Sequence, residues 1–307
     1  MTVCIGAISY WAPAEGRPAS NAIVIASDRM ITTGGFIQSE HDVGKIKFIT
    51  SRICVMIAGD TSGATTLTER LITKFGLTSS SSVEEVALEA KTIYEELRRD
   101  TIDTVIFHPR GITMSQFYQG GLQSKLQPSL VGGIDDEVMS YDYGIALIIA
   151  GCDKTGAHLY MIGNPGTISN HQDTGYTSIG SGEIHAIQSL IGFRHSYFHS
   201  LFETIYAVYA SKKRAEAAPG VGPATDMFII PPITEAEAAY LTAKQIEKLD
   251  GIYKQFNQPV SAEINERLFA INLFGEEEEN ETQEQPGASA KPASKKVHSE
   301  ADVQPKG

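Results

Sequence analysis

The order of short apolar runs and amphipathic runs is what most restricts the fold of this chain. Residues 2–10 and 22–27 are short, apolar and rich in β-branched side chains. So are residues 45–50 and 53–58, with Ser51-Arg52 as the turn between them. These four runs predict an antiparallel sheet at the front of the chain. Two helical patterns follow. Residues 61–75 carry Leu67, Leu71 and Ile72 at helical spacing, and Gly76 stops them. Ser82 and Glu85 predict a capping box at the head of a second helix reaching toward Phe107, where His108-Pro109 breaks it. Strand patterns return at 144–150, 157–162 and 176–179, helical ones at 184–191 and 200–214, and a last strand at 224–230 before Pro231-Pro232. Strands, two helices, strands, two helices and a strand suit a two-sheet core with helices outside it.

Residues 234–273 read as further helices with a solvated charged face, and from Gly275 the chain has almost nothing to bury and reads as disordered. The expected divisions are therefore a domain over 2–231, a helical extension over 232–274 and an acidic, polar tail over 275–307.

Hydrophobic residues make up 42% and charged residues 20%, so a core of normal size can form without metal or disulfide staples. Twenty-five basic residues against 37 acidic ones leave −12, which argues against gripping nucleic-acid backbones or anionic membranes. Cys4, Cys54 and Cys152 each lie in an apolar strand-like run. Three cysteines without paired spacing are no disulfide framework, so they read as buried thiols of a reducing compartment. No basic segment followed by a long apolar stretch opens the sequence, and no run approaches the ~20 apolar residues of a membrane span. The expectation is a cytoplasmic protein.

Standard chemical motifs are mostly missing. Gly44-Lys45 lacks the flanking residues of a phosphate-binding loop, and Gly180-Ser181-Gly182 lacks the outer glycines of a nucleophile elbow. His195 and His199 stand four apart, but with no third ligand evident they read as packing or capping residues. Three strands end in small residues and an acid: Ala26-Ser27-Asp28, Ala58-Gly59-Asp60 and Ala150-Gly151-Cys152-Asp153. Turn chemistry explains such endings. The functional alternative is that two of them border a site.

Thr2 is the unusual feature. Its side chain is small, so removal of Met1 is expected to leave it at the terminus. A terminal threonine carries a hydroxyl and an amine in one residue, and the amine titrates at about 7.7–8.0. It can take the hydroxyl proton and generate a nucleophile.

Five segments occur in order: Thr2-Val3-Cys4-Ile5-Gly6, Val24-Ile25-Ala26-Ser27-Asp28-Arg29, Gly44-Lys45-Ile46-Lys47-Phe48-Ile49, Ile57-Ala58-Gly59-Asp60 and Ser178-Ile179-Gly180-Ser181-Gly182. Over residues 2–231 the chain resembles a proteasome β-type subunit, an N-terminal nucleophile hydrolase. The resemblance implies an α+β fold, a four-layer αββα sandwich, here with an added helical C-terminal extension. It implies a threonine-type peptidase acting on peptides or unfolded proteins. In that resemblance Thr2 is the nucleophile, Asp28 orients the catalytic lysine, Lys45 is that lysine, the Gly59 amide is the oxyanion donor and Ser181 holds the amine. Lys47 is the neighbouring alternative to Lys45, but its place in the strand alternation and the glycine before Lys45 favour Lys45. The resemblance also implies a homo-oligomeric ring and an unfolding ATPase as partners. No cofactor or metal is called for.

The chain departs from the pattern in three places: the hairpin loop from Trp11 to Asn21 is longer than usual, the extension after Pro232 is additional, and one stretch before the last core strand differs. The family carries an Asp and a Ser, three apart, before the last core strand, whereas here the stretch reads Arg214-Ala215-Glu216-Ala217-Ala218-Pro219-Gly220. The aspartate is missing, and Glu216 is the acid available to replace it. Two other readings stay open: a noncatalytic ring scaffold, which the missing aspartate favours, and a small-molecule amide hydrolase of the same nucleophile class.

Overall fold

The structure is a computed structural model and describes residues 2–12, 19–33, 37–41, 44–76, 81–235 and 237–257. The expected tail over 275–307, and the expected extension after Asn257, lie outside the described residues. In chain order, β1 (Cys4–Trp11) and β2 (Ser20–Asp28) lead to a ribbon of β3 (Met30–Thr33) and β4 (Ile37–Glu40), then to β5 (Ile46–Phe48) and β6 (Ile53–Gly59). Helices α1 (Thr61–Phe75), α2 (Val83–Ile102), α3 (Met114–Tyr118) and α4 (Pro128–Ser140) follow. Then come β7 (Ile145–Asp153), β8 (Gly156–Gly163), β9 (Thr167–Asn170), β10 (Tyr176–Ile179), α5 (Glu183–Gly192), α6 (Leu201–Ala215), β11 (Thr225–Ile230), β12 (Ala239–Tyr240) and α7 (Ala243–Phe256).

The strands form two five-stranded antiparallel sheets, ordered β10-β1-β2-β11-β12 and β5-β6-β7-β8-β9. The four strand patterns at the front of the chain therefore divide between two sheets instead of forming one. The alternation of side chains explains why hydropathy did not reveal this. In β1, Ile5 and Ala7 pack with the α5 and α6 residues Leu190 and Val208. Cys4 and Ile8, one residue out of phase, pack with Cys54, Met56, Ile148 and Leu159 of the other sheet. In β7, Leu147 and Ile149 meet Leu67, Leu71, Val86 and Tyr94 of α1 and α2, while Ile148 and Ala150 enter the layer between the sheets. Both faces of each central strand are buried, so the strands read as continuous apolar runs with no polar face to betray the partner.

The local signals hold where the chemistry is local. Asp60 caps α1 by accepting from Gly63 N at 3.0 Å. Ser82 and Glu85 exchange both bonds of a capping box, 2.9 and 3.1 Å, at the head of α2. Past Ile102 the helix continues to Phe107 as a π-helical turn, then closes in a 3-10 turn over His108–Arg110. Helices α3 and α4 bury a separate small cluster around Ile102, Phe107, Phe117 and Ile134. Residues 234–257, expected as helices alone, contain the short strand β12 as well as α7, which lays Ile246, Leu249 and Tyr253 against the cluster beneath α6.

The three thiols are unpaired and buried between the sheets. Burial pushes those of Cys4 and Cys152 up to about 12, and that of Cys54 also up. Among the described residues no helix is long and apolar enough to cross a membrane.

Leu159 has no solvent exposure and fills the layer between the sheets. Leu159→Ala is expected to destabilise the fold by about 3 kcal/mol through lost burial and an incompletely collapsed cavity. Urea unfolding followed by circular dichroism measures this; a loss below ~1 kcal/mol would contradict close packing there.

Candidate active site

Strand register brings the site together. In the β1–β2 pair Cys4 stands opposite Ser27, which places Val3 beside Asp28. Asp28 N donates to Val3 O at 3.3 Å, and Val3 N donates to Asp28 Oδ1 at 2.9 Å. In the β1–β10 pair Cys4 stands opposite Ile179, so the same count carries Thr2 to Ser181. Lys45 enters from the other sheet, one residue before β5, and its carbonyl accepts from Ile57 N at 3.3 Å.

These residues converge on one hydroxyl. Thr2 is 2% exposed, and its Oγ1 donates to Asp28 Oδ1. Lys45 Nζ contacts Thr2 Oγ1 and also Asp28 Oδ1 at 2.8 Å. Lys45, not Lys47, thus meets the hydroxyl, while Lys47 contributes to the wall of the adjoining cleft. The second oxygen of Asp28 accepts from Met30 N at 2.9 Å and Gly222 N at 3.1 Å. Burial pushes the Asp28 carboxyl up, but the Lys45 charge and the bonds from Lys45, Thr2 and Val3 outweigh it and hold the group below the usual carboxylate range.

Thr2 N donates to Ser181 Oγ at 3.1 Å. Gly182 N donates to the Thr2 carbonyl at 3.1 Å, and Gly180 has φ +99° with a Cβ position that would collide with the same carbonyl. A side chain at Gly180 would therefore displace Thr2. Gly59, with φ +110°, ends β6 against Gly144 O, again with no room for a Cβ. Thr2, Lys45 and Gly59 line a cleft of about 430 Å³ whose walls include Met30, Ile57 and Ile72.

Thr2, Asp28, Lys45, Gly59 and Ser181 are thus brought to one place. Of the three acid-ended strands, the two ending at Asp28 and at Gly59-Asp60 border this site. The third does not: Asp153 accepts from Val83 N at 2.9 Å and from Thr155, at the head of α2. Glu216 does not approach Thr2. Its oxygens pair with Lys212 Nζ at 2.6 Å and Lys213 Nζ at 2.7 Å. Ser181 Oγ donates instead to Pro219 O at 3.1 Å. The Gly222 amide is a site component that sequence patterns did not single out. Its signal is the run Pro219-Gly220-Val221-Gly222-Pro223, too short of side chains to form a helix. His195 and His199 stack at 5.4 Å, and His195 Nε2 engages Ile8 O at 3.1 Å. Burial lowers His195 to about 4.

The family model "Proteasome subunit" matches residues 16–108. "Proteasome subunit beta" of Ferroglobus placidus (strain DSM 10642 / AEDII12DO) is 26% identical over 235 residues, covering 76% of this chain and 91% of the relative. Both similarities support the proteasome β-type family for this chain.

The lowered Asp28 value carries a sign for stability. The unfolded chain binds that proton more tightly than the folded one, so the contribution is full above the ordinary Asp value of about 3.9 and is lost as pH falls through the folded value. Asp28→Asn is expected to be less stable than the native chain at neutral pH, with the gap narrowing on acidification. Urea unfolding of both proteins across the acid range measures it; a gap independent of pH would contradict the ionised, buried carboxylate.

Proposed function

We propose that this protein is a threonine-type peptidase of a proteasome-like compartment. The observation that carries the reading is the contact of one buried hydroxyl, Thr2 Oγ1, with both Lys45 Nζ and Asp28 Oδ1 beside an open cleft. On this reading removal of Met1 frees the Thr2 amine, which takes the proton from Oγ1 as the oxygen attacks a peptide carbonyl. The Lys45 ammonium stabilises the negative charge on Oγ1, and Asp28 fixes Lys45 in place. Charge then moves to the carbonyl oxygen, where the Gly59 amide is the donor. The tetrahedral species expels the leaving amine, which takes the proton held by the Thr2 amine. The resulting ester on Thr2 is hydrolysed by water with the amine again as base. Ser181 holds that amine. The apolar cleft wall of Met30, Ile57 and Ile72 suits an apolar side chain next to the cleaved bond.

The two helix-covered sheets then form a four-layer αββα sandwich over 2–231, followed by an extension over 232–274 and a tail over 275–307. A cytoplasmic homo-oligomeric ring fed by an unfolding ATPase completes the reading; the similarity to proteasome β subunits supports the ring. One observation favours a noncatalytic scaffold instead: Glu216, the acid available to support the amine, is committed to Lys212 and Lys213.

Intact mass spectrometry before and after treatment with a peptide epoxyketone, which reacts with the hydroxyl and amine of a terminal threonine together, separates the two. Loss of Met1 and a single adduct on Thr2 are expected, as is loss of peptide turnover by about 10³-fold or more in Thr2→Ala and Lys45→Ala with fold retained. Met1 retained, or full turnover in either variant, would overturn the peptidase reading. Turnover confined to small amides would place the chain among small-molecule hydrolases.

A further inference from the structure

Lys212, on α6, has no solvent exposure. A lysine is almost never buried to this extent without partners. Its three N–H groups are all used: Glu216 Oε1 at 2.6 Å, Gly222 O at 2.8 Å and Pro223 O at 2.8 Å. The two carbonyls belong to the segment whose amide, Gly222 N, donates to Asp28 Oδ2 at 3.1 Å. The same segment is held from the other side by Glu40, which accepts from Ala224 N at 2.9 Å. A short bonded path therefore runs from a buried cation to the carboxylate that touches Thr2 and Lys45.

We propose that Lys212 is a positioning residue for the Thr2 site, tying down the Gly222–Pro223 segment so that the Gly222 amide stays on Asp28. The inference rests on the reading of Asp28 as the group that orients Lys45 and Thr2. A helix-end lysine that only fastened α6 to the next loop would stabilise the fold without altering Asp28. A lysine that holds an amide on Asp28, with its own charge close behind, also favours the ionised carboxylate. Asp28 lies in the Coulombic reach of Lys212, and burial of Lys212 lowers its own pKa while Glu216 raises it. The charged and titratable groups around Asp28 are Lys45 before β5, Lys212 with Glu216 behind it, the Arg29–Asp226 pair, Glu40 beyond Gly222, and the buried Cys4 thiol. Of these, Lys212 is the cation joined to Asp28 through Gly222.

The test uses the full chain with ¹³C-labelled aspartate carboxyls, the Asp28 signal being assigned by its loss in Asp28→Asn. Lys212→Met keeps the methylene packing and removes the cation and its donors. It is expected to stay folded, to raise the Asp28 midpoint by roughly one pH unit, and to move the acid limb of the peptide pH–rate profile the same way. Below the limb kcat should fall about tenfold with KM unchanged. Gly222→Ala, whose Cβ would press on Glu40 Oε1 and Met30 Cβ at 3.0 Å, should give a smaller shift of the same sign. The double variant should shift no further than the larger single one, because both act on one amide.

An unmoved midpoint in folded Lys212→Met overturns the proposal. If that variant does not fold, Lys212→Gln, which keeps a donor for a carbonyl, takes its place with the same criterion. If neither folds, an unmoved midpoint in Gly222→Ala removes the route through that amide and overturns the proposal. If the native chain shows no turnover and no epoxyketone adduct, the peptidase reading fails, while the Asp28 midpoint still decides whether Lys212 acts on that carboxylate.

Discussion

The Asp28 carboxylate is a full negative charge with no solvent exposure, and much of the structure around it exists to make that tolerable. An unpaired ion in such a place costs several kcal/mol after relaxation. Here one oxygen meets the Lys45 ammonium, the Thr2 hydroxyl and the Val3 amide, and the other meets the amides of Met30 and Gly222. These donors come from the two residues before β1, from the start of the ribbon, from the residue before β5 of the opposite sheet and from the segment before β11. A one-residue slip in the β1–β2 register would exchange Val3 for a neighbour and turn each buried side chain to the other face. The register of the core and the geometry of the site are therefore one constraint.

The arrangement of layers follows from the same economy. Each sheet is covered on one face by a helix pair and on the other by its partner sheet, so the central strands β1, β2, β6 and β7 carry no charged side chain except at their ends. Charged side chains collect at strand ends, where chain termini and turns meet. Asp28 ends β2, Lys45 precedes β5 and Gly59 ends β6. Gly59 and, across the site, Gly180 demand glycine-like backbones: Gly59 leaves no space for a side chain against Gly144 O, and Gly180 none against Thr2 O. The cleft is what remains where the strands stop pairing and α1 begins.

What was legible in the sequence were features set by near neighbours. The Ser82–Glu85 box, the helix stopping at Gly76 and the apolar strand runs each depend on a few adjacent residues. The residues of the site were legible through resemblance, because their order along the chain is distinctive although each is ordinary alone. The sheet to which each front strand belongs was not legible, since strands buried on both faces carry no polar phase. The β3–β4 ribbon was also missed: Met30-Ile31-Thr32-Thr33 is too short to give a run of its own. Helices α3 and α4 were missed because their stripe is broken by glycines and polar residues, and only Phe117 and Ile134 reach the small cluster fully. Lys212 reads as one more basic residue in Lys212-Lys213-Arg214. Its burial depends on carbonyls ten and eleven residues away that no pattern in the helix announces.

The short strand β12 is joined to the site by a second path. β12 adds two residues to the exposed side of β11 and closes that edge beside Asp226. Asp226 accepts a forked pair of bonds from Arg29, at 3.0 and 2.6 Å, and Tyr240 of β12 joins both, its hydroxyl donating to Asp226 at 3.3 Å and accepting from Arg29 at 3.2 Å. The other Asp226 oxygen lies so near Gly44 that a Cβ there would come within 3.1 Å. The glycine before Lys45 thus has a physical role: a Cβ there would press on this carboxylate and push Asp226 aside beside the backbone that carries Lys45. Arg29 is the residue after Asp28, and Gly44 the one before Lys45, so a single ion pair braced by Tyr240 fixes the backbone on both sides of the Asp28–Lys45 contact. Residues beyond Pro232 therefore bear, through Tyr240, on the chain segments that carry Asp28 and Lys45.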